Sequence, residues 1–332
     1  MDPQPLVTAL RAWIGGTLSV PSLPTGITRL AGQHRLNGTL YHIGADLSES
    51  DAAKAEESWS QNIAGHLTRG AALAAIWPTS SPAPLVFKGA DLAENLFDDP
   101  GARAANDLDV LLPETVFDET VDAISTHGTR CPPPLGERFA GEAPYAVGLQ
   151  TEGVLIEIHR HPQPAHLATL RGDALYQRSE SGLLATLPVR FPTPEDRLLL
   201  WLTNQAKGAF FCDLAAWVDL CLILRQITGL DWRQHTARLR NAASAVGLKN
   251  AYDLAVVRLT SSGLWPGSQP SQPHRPGLVA ANALLPPVLG PIGPPPVLRL
   301  QAVKTWLCTP RARIGLFGRA LATLHRGERP GY

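Results

Sequence analysis

Apolar residues in the first 80 positions recur at intervals that predict helices. Residues 5–13 form a short amphipathic stretch, and residues 27–47 carry apolar side chains at irregular helical spacing. A serine- and acid-rich start at residues 48–51 precedes a longer helical pattern over residues 51–76. The apolar stripe of that longer helix comprises Ala55, Trp59, Ile63, Leu67, Ala71, Ala74 and Ala75.

The period of the pattern changes after the turn-rich residues 78–84. Short apolar runs typical of buried strands then alternate with helical stretches. The strand runs are residues 85–87, 108–112 and 154–159, and the helical stretches are residues 90–97 and 114–127. Alternation along the third strand run places Glu157 and His159 together on one face.

The order of these elements predicts an α+β fold. In this fold, a small mixed sheet with helices on one face is flanked by helical N-terminal and C-terminal parts. Helical periodicity covers residues 195–207, 210–226, 232–246 and 250–261, and again residues 298–324. The predicted division is a helical part (1–80), a sheet core (81–192), a helical bundle (193–262), a proline-rich linker (263–298) and a C-terminal helical segment (299–332).

Composition narrows the class of protein. Lys+Arg and Asp+Glu both number 29, and this balance argues against binding of nucleic acid by bulk electrostatics. The uncharged residues 276–298 contain seven prolines, which would break a membrane-spanning helix. The first residues lack the cationic and apolar regions of a secretory signal. We therefore expect a cytoplasmic protein without a membrane partner.

Three acids carry the candidate chemistry. Asp107 and Asp109 are two apart on a strand, so both point to one face, and Glu157 faces inward from another strand. Burying adjacent carboxylates without a cation would cost several kcal/mol, and a divalent cation removes that cost. Mg²⁺ prefers a few carboxylates together with substrate phosphates. The acids therefore predict a two-metal site, whereas the alternative for the aspartate pair alone is a solvated strand edge.

Gly89 lies where a strand turns into a helix. Its backbone can approach a phosphate closely, with the helix N-terminus behind it. The alternative is an ordinary turn glycine, and only the nearby carboxylates favour the phosphate interpretation.

Four motifs follow one another along the chain: Lys–Gly at 88–89, PGAR at 100–103, DLDVL at 107–111 and IEIH at 156–159. Together they resemble a family of bacterial nucleotidyltransferases within the DNA polymerase beta nucleotidyltransferase superfamily. The likeness extends as a pattern over about residues 25–260. It implies a nucleoside triphosphate as substrate and Mg²⁺ as cofactor, with two ions and with Mn²⁺ as a possible substitute. It also implies that Asp107 and Asp109 are paired metal ligands and that Glu157 is a third ligand or the general base.

The resemblance implies nucleotide contacts as well. Lys88 and Gly89 stand at the phosphate-contacting turn, although Ala90 replaces the serine found there in many members. Arg103 would contact phosphate or pair with an acid. Lys207 would reach the triphosphate or remain a surface lysine, and the histidine that the family usually has near it is missing.

One further polar residue receives a supporting role at the site, and another a structural one. His159 shares a face with Glu157 and would orient the acceptor or shuttle a proton, the alternative being a structural histidine. Asp219 lies in an apolar helical stretch and would be the buried partner of an arginine.

The sequence thus predicts Mg²⁺-dependent transfer of a nucleoside monophosphate to an unidentified hydroxyl or phosphate on a small molecule, a peptide or protein, or an RNA end. Motifs of P-loop, dinucleotide-binding and serine-hydrolase proteins are missing. One alternative is a catalytically impaired nucleotidyltransferase fold that binds or regulates within a biosynthetic or toxin–antitoxin operon. Another is transfer of the β- or γ-phosphate from the same cleft.

Overall fold

A mixed sheet lies at the centre of the fold. The computed structural model describes residues 2–17, 21–131, 145–163, 168–208, 213–272, 276–283, 285 and 303. The strands within them are β1 (Leu85–Phe87), β2 (Asp107–Leu111), β3 (Thr129–Arg130), β4 (Ala146–Thr151), β5 (Val154–His159), β6 (Glu180–Leu184) and β7 (Leu187–Phe191). They pair in the order β3–β4–β5–β2–β1–β7–β6. The pairs β2–β5 and β1–β7 are parallel and the others antiparallel, so the α+β prediction with a mixed sheet is confirmed.

Helices surround this sheet in three groups. The first group is α1 (Gln4–Ile14), α2 (Ile27–Gln33), α3 (Asn37–His42) and α4 (Glu49–Ile76). The second group, interspersed with the strands, is α5 (Gly89–Asn95), α6 (Glu114–Ile124) and α7 (Gly172–Arg178). The third group is α8 (Pro194–Lys207), α9 (Leu214–Thr228), α10 (Trp232–Ala245), α11 (Lys249–Ser262) and α12 (Pro276–Ala283). Single turns of 3₁₀ helix lie at Pro100–Ala102 and Ser125–His127.

Three details qualify the predicted helices. Residues 27–47 form two helices, because Arg35 has a left-handed φ of 58° and the helical path is broken there. The proline-rich residues 263–298 contain α12, which begins at Pro276, a proline in a first-turn position that a helix tolerates. The predicted residues 298–324, apart from Val303, and residues 210–212 lie outside the described part of the chain.

One face of the sheet forms an apolar core. The strand residues in it are buried and pack against the last turns of α4 and against α6. They are Val86, Leu108, Val110, Ile156 and Ile158, with Leu73, Ile76, Phe117 and Val121 from the helices. Full burial of one such side chain stabilises the fold by about 1.5–3 kcal/mol. This core fixes the register of the central strands.

The other face is apolar only at its margin. Leu85, Phe87 and Leu111 join the large core built mainly by the first and third helix groups. Trp201, Trp217 and Trp232 are all buried in that core. Among the described residues, every helix is too short or too polar to span a lipid bilayer.

Candidate active site

Strand pairing places two of the predicted acids and His159 side by side. In the parallel β2–β5 ladder, Asp109 is level with Glu157 and Leu111 is level with His159. Phe87 of β1 is level with Asp109 from the other side. Because residues level on adjacent strands share a face, these polar side chains project together from one face of the sheet.

His159 connects the two acids. Its Nε2 lies 2.8 Å from Asp109 Oδ1 and 3.5 Å from Glu157 Oε2. The ligand atoms of Asp109, Glu157 and His159 all lie within 4.8 Å of one another, and we call these three residues the acid–histidine cluster. The His159 ring is buried and packs edge-on against Phe87, with ring centroids 5.0 Å apart. Because Nε2 faces two carboxylates, it must donate.

Lys88 adds a cation to this cluster. Its Nζ donates to Asp109 Oδ1 and lies 3.9 Å from Glu157 Oε2. Burial would raise the pKa of Asp109, but the Lys88 ammonium and the His159 hydrogen bond outweigh burial and hold that pKa well below its ordinary value. The His159 hydrogen bond likewise lowers the pKa of Glu157, against the opposing effect of burial. Both carboxylates are therefore ionised at neutral pH.

Asp107 lies on the same strand face but apart from the cluster. It is level with Leu155 and does not belong to the group of ligand atoms that approach one another. Burial raises its pKa, and repulsion from Asp109 and Glu157 raises it further while Lys88 opposes. Asp107 and Asp109 line the same cleft, so a ligand in that cleft can reach both.

Gly89 begins α5 directly after Lys88. A Cβ at this position would lie 2.8 Å from the Ala105 Cβ, so glycine allows the loop before β2 to pack against the start of the helix. Gly89 and Ala105 both line the cleft. The phosphate contact at Gly89 stays a prediction.

Arg103 lies in a buried ion pair with Asp219 of α9. Its Nε is 2.8 Å from Asp219 Oδ1 and its Nη2 is 2.9 Å from Oδ2. Its Nη1 donates to the Ala104 carbonyl. The predicted role of Asp219 as a buried partner of an arginine is confirmed, and Arg103 pairs with this distant acid rather than with Asp98 or Asp99.

A second buried ion pair lines the cleft and was not recognised in the sequence. Arg197 of α8 contacts Asp91 of α5 through Nε, at 2.9 and 3.0 Å, and through Nη2, at 2.8 Å. Burial raises the pKa of Asp91 to about 6, although Arg197 attracts the ionised form. The available signal was a charged residue directly before an apolar one in each helix, Asp91 before Leu92 and Arg197 before Leu198.

Lys207 lies at the end of α8 and is exposed. Its Nζ donates to the Tyr145 hydroxyl at 2.8 Å and lies over the Tyr145 ring at 5.5 Å from the centroid. The Tyr145 ring is in turn 5.9 Å from the His159 ring. Tyr145 was missed because it precedes β4 without any motif. Lys207 lines the cleft, but its contact with a triphosphate remains a prediction.

The three acids, Lys88, Lys207 and both buried ion pairs line a cleft of about 360 Å³ between the sheet and the helices. Arg35 also lines it, 44% exposed, with its Nε donating to Asp213 Oδ2 at 2.5 Å. No sequence signal marked Arg35, which lies in the short connection between α2 and α3. The cleft thus combines carboxylates on the sheet with Lys88, Lys207 and Arg35 as cations.

The donor atoms of the acid–histidine cluster suit a hard divalent cation. Mg²⁺ prefers carboxylate oxygens, and Mn²⁺ also accepts imidazole. The Lys88 ammonium, which contacts Asp109 and approaches Glu157, shows that a positive group fits between these carboxylates. Asp109 and Glu157 could therefore hold a metal, with Asp107 available beside them and His159 orienting Asp109.

Comparison with known proteins identifies the family of the chain. No curated protein matches the chain significantly. The family model described as an uncharacterised nucleotidyltransferase matches residues 24–259, a range that contains every cleft residue discussed above. Because the match covers more than half of the 332 residues, the chain belongs to this family of uncharacterised nucleotidyltransferases.

Proposed function

We propose that this protein is a metal-dependent nucleotidyltransferase that moves a nucleoside monophosphate from a nucleoside triphosphate to an acceptor hydroxyl or phosphate. The observation that carries the proposal is the convergence of Asp109 and Glu157, with His159 contacting both from behind, at a cleft that also presents cations. Family membership supports the reaction class. The acceptor is a small molecule, a peptide or protein side chain, or an RNA end.

The acids and the histidine have different roles in this proposal. Asp109 and Glu157 would hold the metal, and Asp107 would join them from the same face. When bound, a divalent cation neutralises phosphate charge and makes an attacking hydroxyl more acidic. His159 keeps the carboxylate of Asp109 oriented through its Nε2 hydrogen bond at 2.8 Å.

Glu157 is best placed to take the proton of the acceptor. Its side chain is 35% exposed, whereas that of Asp109 is 1% exposed and is contacted by Lys88 and His159. Its lowered pKa keeps it ionised at neutral pH. The acceptor oxygen forms a bond to the α-phosphorus, the bond to the bridging oxygen of pyrophosphate breaks, and the proton passes to Glu157.

The cations of the cleft would bind the triphosphate. Lys88 and Lys207 both line the cleft, and the backbone of Gly89 lies at the same wall. Charged donors aimed at phosphate oxygens stabilise the charge that develops on the leaving pyrophosphate.

Calorimetric titration with Mg²⁺ and each of the common nucleoside triphosphates tests the binding step. We expect at least one nucleotide to bind the wild type and to bind Asp109→Asn and Glu157→Gln roughly tenfold or more weakly. The matched control is Asp122→Asn, which removes a carboxylate of α6 that is 77% exposed and should leave binding unchanged.

Incubation of the protein with a host lysate and labelled nucleotide tests the transfer step. Label from the α-phosphate on an acceptor is the expected result, whereas label from the γ-phosphate alone would indicate phosphotransfer. Absence of nucleotide binding, or equal binding by the wild type and the two active-site variants, would favour a binding or regulatory module instead.

A further inference from the structure

Lys88 reaches the acid–histidine cluster because its backbone departs from the strand pattern. In β1, Leu85 and Phe87 face the side of the cluster, and Val86 faces the opposite core. Strict alternation would turn Lys88 toward the side of Val86 and away from the acids. Instead, Lys88 has φ 57° and ψ −131°, and its Nζ contacts Asp109.

This backbone conformation has a cost in free energy. Glycine adopts such angles readily, and residues with a Cβ rarely do. The Lys88 side chain makes no capping hydrogen bond to α5, so helix capping does not explain the residue. Strained backbone of this kind is found where a functional side chain must be held in one place. The ammonium group is therefore the feature that accounts for a lysine at this position.

The ammonium contacts the carboxylates that would hold a metal. Asp109 is almost fully buried, and a buried carboxylate needs a positive partner. Lys88 Nζ supplies it and also lies 3.9 Å from Glu157 Oε2. A divalent cation bound by the same two carboxylates would lie close to this ammonium, and the like charges would repel each other strongly.

We infer that Lys88 is a displaceable counter-ion, which stabilises the cluster in the metal-free protein and moves toward nucleotide phosphate when metal and nucleotide bind. This inference rests on the proposed function and adds to it a coupling between metal binding and nucleotide binding. The Lys88 side chain is 23% exposed and lines the cleft, so phosphates bound there can accept the displaced ammonium. Metal therefore binds weakly alone and more tightly together with nucleotide.

Electron paramagnetic resonance of free Mn²⁺ in nucleotide-free protein tests this inference. Lys88→Met and Lys88→Gly should each bind Mn²⁺ roughly tenfold or more tightly than the wild type, because a competing charge within a few ångströms is removed. Glycine fits the left-handed φ at this position, so the second variant also relieves the backbone. Lys88→Arg keeps the charge and should keep the weak affinity.

The matched control is Lys207→Met, which removes the other lysine of the cleft and should leave nucleotide-free Mn²⁺ affinity unchanged. A non-hydrolysable nucleoside triphosphate should raise Mn²⁺ affinity strongly in the wild type and much less in Lys88→Met and Lys88→Gly.

The outcomes separate this inference from the proposed function. If the wild type binds Mn²⁺ with nucleotide but the Lys88 variants show no gain in nucleotide-free affinity, the counter-ion role is wrong and the proposed function stands. If no form of the protein binds Mn²⁺ with or without nucleotide, both fail.

Discussion

His159 determines how the buried carboxylate of the candidate active site is oriented. Its Nε2 donates to Asp109, and its ring is held between Phe87 and Tyr145, with centroids at 5.0 and 5.9 Å. A ring fixed in this way selects which carboxylate oxygen remains free for another ligand. The residue therefore acts on the site through Asp109.

We expect His159→Leu to lower Mn²⁺ affinity in the presence of nucleotide by about 10–100-fold, because Asp109 loses its orienting donor. His159→Gln, whose amide nitrogen can replace Nε2 as a donor, should lose less. Calorimetric titration of both variants measures the difference. Equal losses would show that Mn²⁺ affinity depends on packing of the ring and not on the donated hydrogen bond.

Asp51 is a carboxylate that serves stability away from the cleft. It accepts hydrogen bonds from the Gly26 N–H at 2.6 Å, the Ser48 hydroxyl at 2.8 Å and the Thr28 hydroxyl. These contacts join the start of α2 to the start of α4. Burial would raise the pKa of Asp51, but the hydrogen bonds outweigh burial and lower it.

This shift predicts a pH dependence of stability. Because the pKa of Asp51 is lower in the folded protein, its ionised form stabilises the fold above the unfolded pKa of about 4, and this stabilisation is lost as the pH falls through the folded pKa. Asp51→Asn should lower the free energy of unfolding by about 1–3 kcal/mol at neutral pH, and by less in acid. Urea unfolding between neutral and acidic pH measures this difference in the free energy of unfolding, with the exposed Asp122→Asn as control. A difference that does not change with pH would contradict the explanation.

Side-chain placement could be predicted where strand alternation holds and not elsewhere. The shared face of Glu157 and His159 follows from alternation alone. The contact between Lys88 and Asp109 does not, because a left-handed φ at Lys88 reverses the direction that alternation predicts. The partner of Arg103 is 116 residues away in the sequence, and the local pattern of residues does not indicate contacts over such a separation.

At the scale of elements, the strands at the centre of the sheet were predictable and the others were not. β1, β2 and β5 are short apolar runs with mostly buried residues. β4 contains Gly148 and Gln150, and β6 is mostly exposed, so neither has the apolar signal of a strand. The turn between β6 and β7 uses Ala185 with φ 52° in place of the usual glycine or asparagine, which removed the hairpin signal as well.

The 3₁₀ turn at Pro100–Ala102 packs so closely on α4 that its glycine is required. A Cβ on Gly101 would lie 2.3 Å from Cδ1 and Nε1 of Trp59. Trp59 Nε1 donates to Asp99 at 2.8 Å, and Asn62 donates to the Gly101 carbonyl at 2.9 Å. These contacts fix the loop that leads to Arg103 and then to β2.

We therefore expect Gly101→Ala to lower the free energy of unfolding by about 1–3 kcal/mol, because the indole must move and its hydrogen bond to Asp99 is lost. Chemical denaturation followed by tryptophan fluorescence measures the change. Gly208→Ala is the control, because its nearest atoms would be 3.8 Å away and its φ is −82°. Similar losses in both variants would mean that contact with Trp59 is not the cause.

At the scale of the whole molecule, two buried ion pairs join the sheet part to the third helix group. Asp91 with Arg197 connects α5 to α8, and Arg103 with Asp219 connects the loop before β2 to α9. All four side chains line the cleft, so the contacts that join the sheet part to the third helix group also shape the cleft. The position of α8 and its Lys207 relative to the acids depends on them.

Variants of the Arg103–Asp219 ion pair test whether Arg103 binds phosphate or only pairs with this acid. Asp219→Asn leaves a buried guanidinium without its counter-ion and should cost about 3–5 kcal/mol of stability. The double variant Arg103→Met/Asp219→Leu removes both charges and should recover most of that loss, as seen when buried pairs are replaced by apolar residues. Denaturant unfolding measures both effects.

The nucleotide affinity of the same double variant then shows whether Arg103 binds phosphate in addition to pairing with Asp219. The Nε, Nη1 and Nη2 atoms of Arg103 are all engaged by Asp219 and the Ala104 carbonyl, so we expect the stable double variant to bind nucleotide as the wild type does. Arg35→Met, which removes an exposed guanidinium held only at Nε among the described contacts, is the comparison and should weaken binding if the cleft cations hold phosphate. A large loss of nucleotide affinity in the double variant, with stability restored, would assign phosphate contact to Arg103 after all.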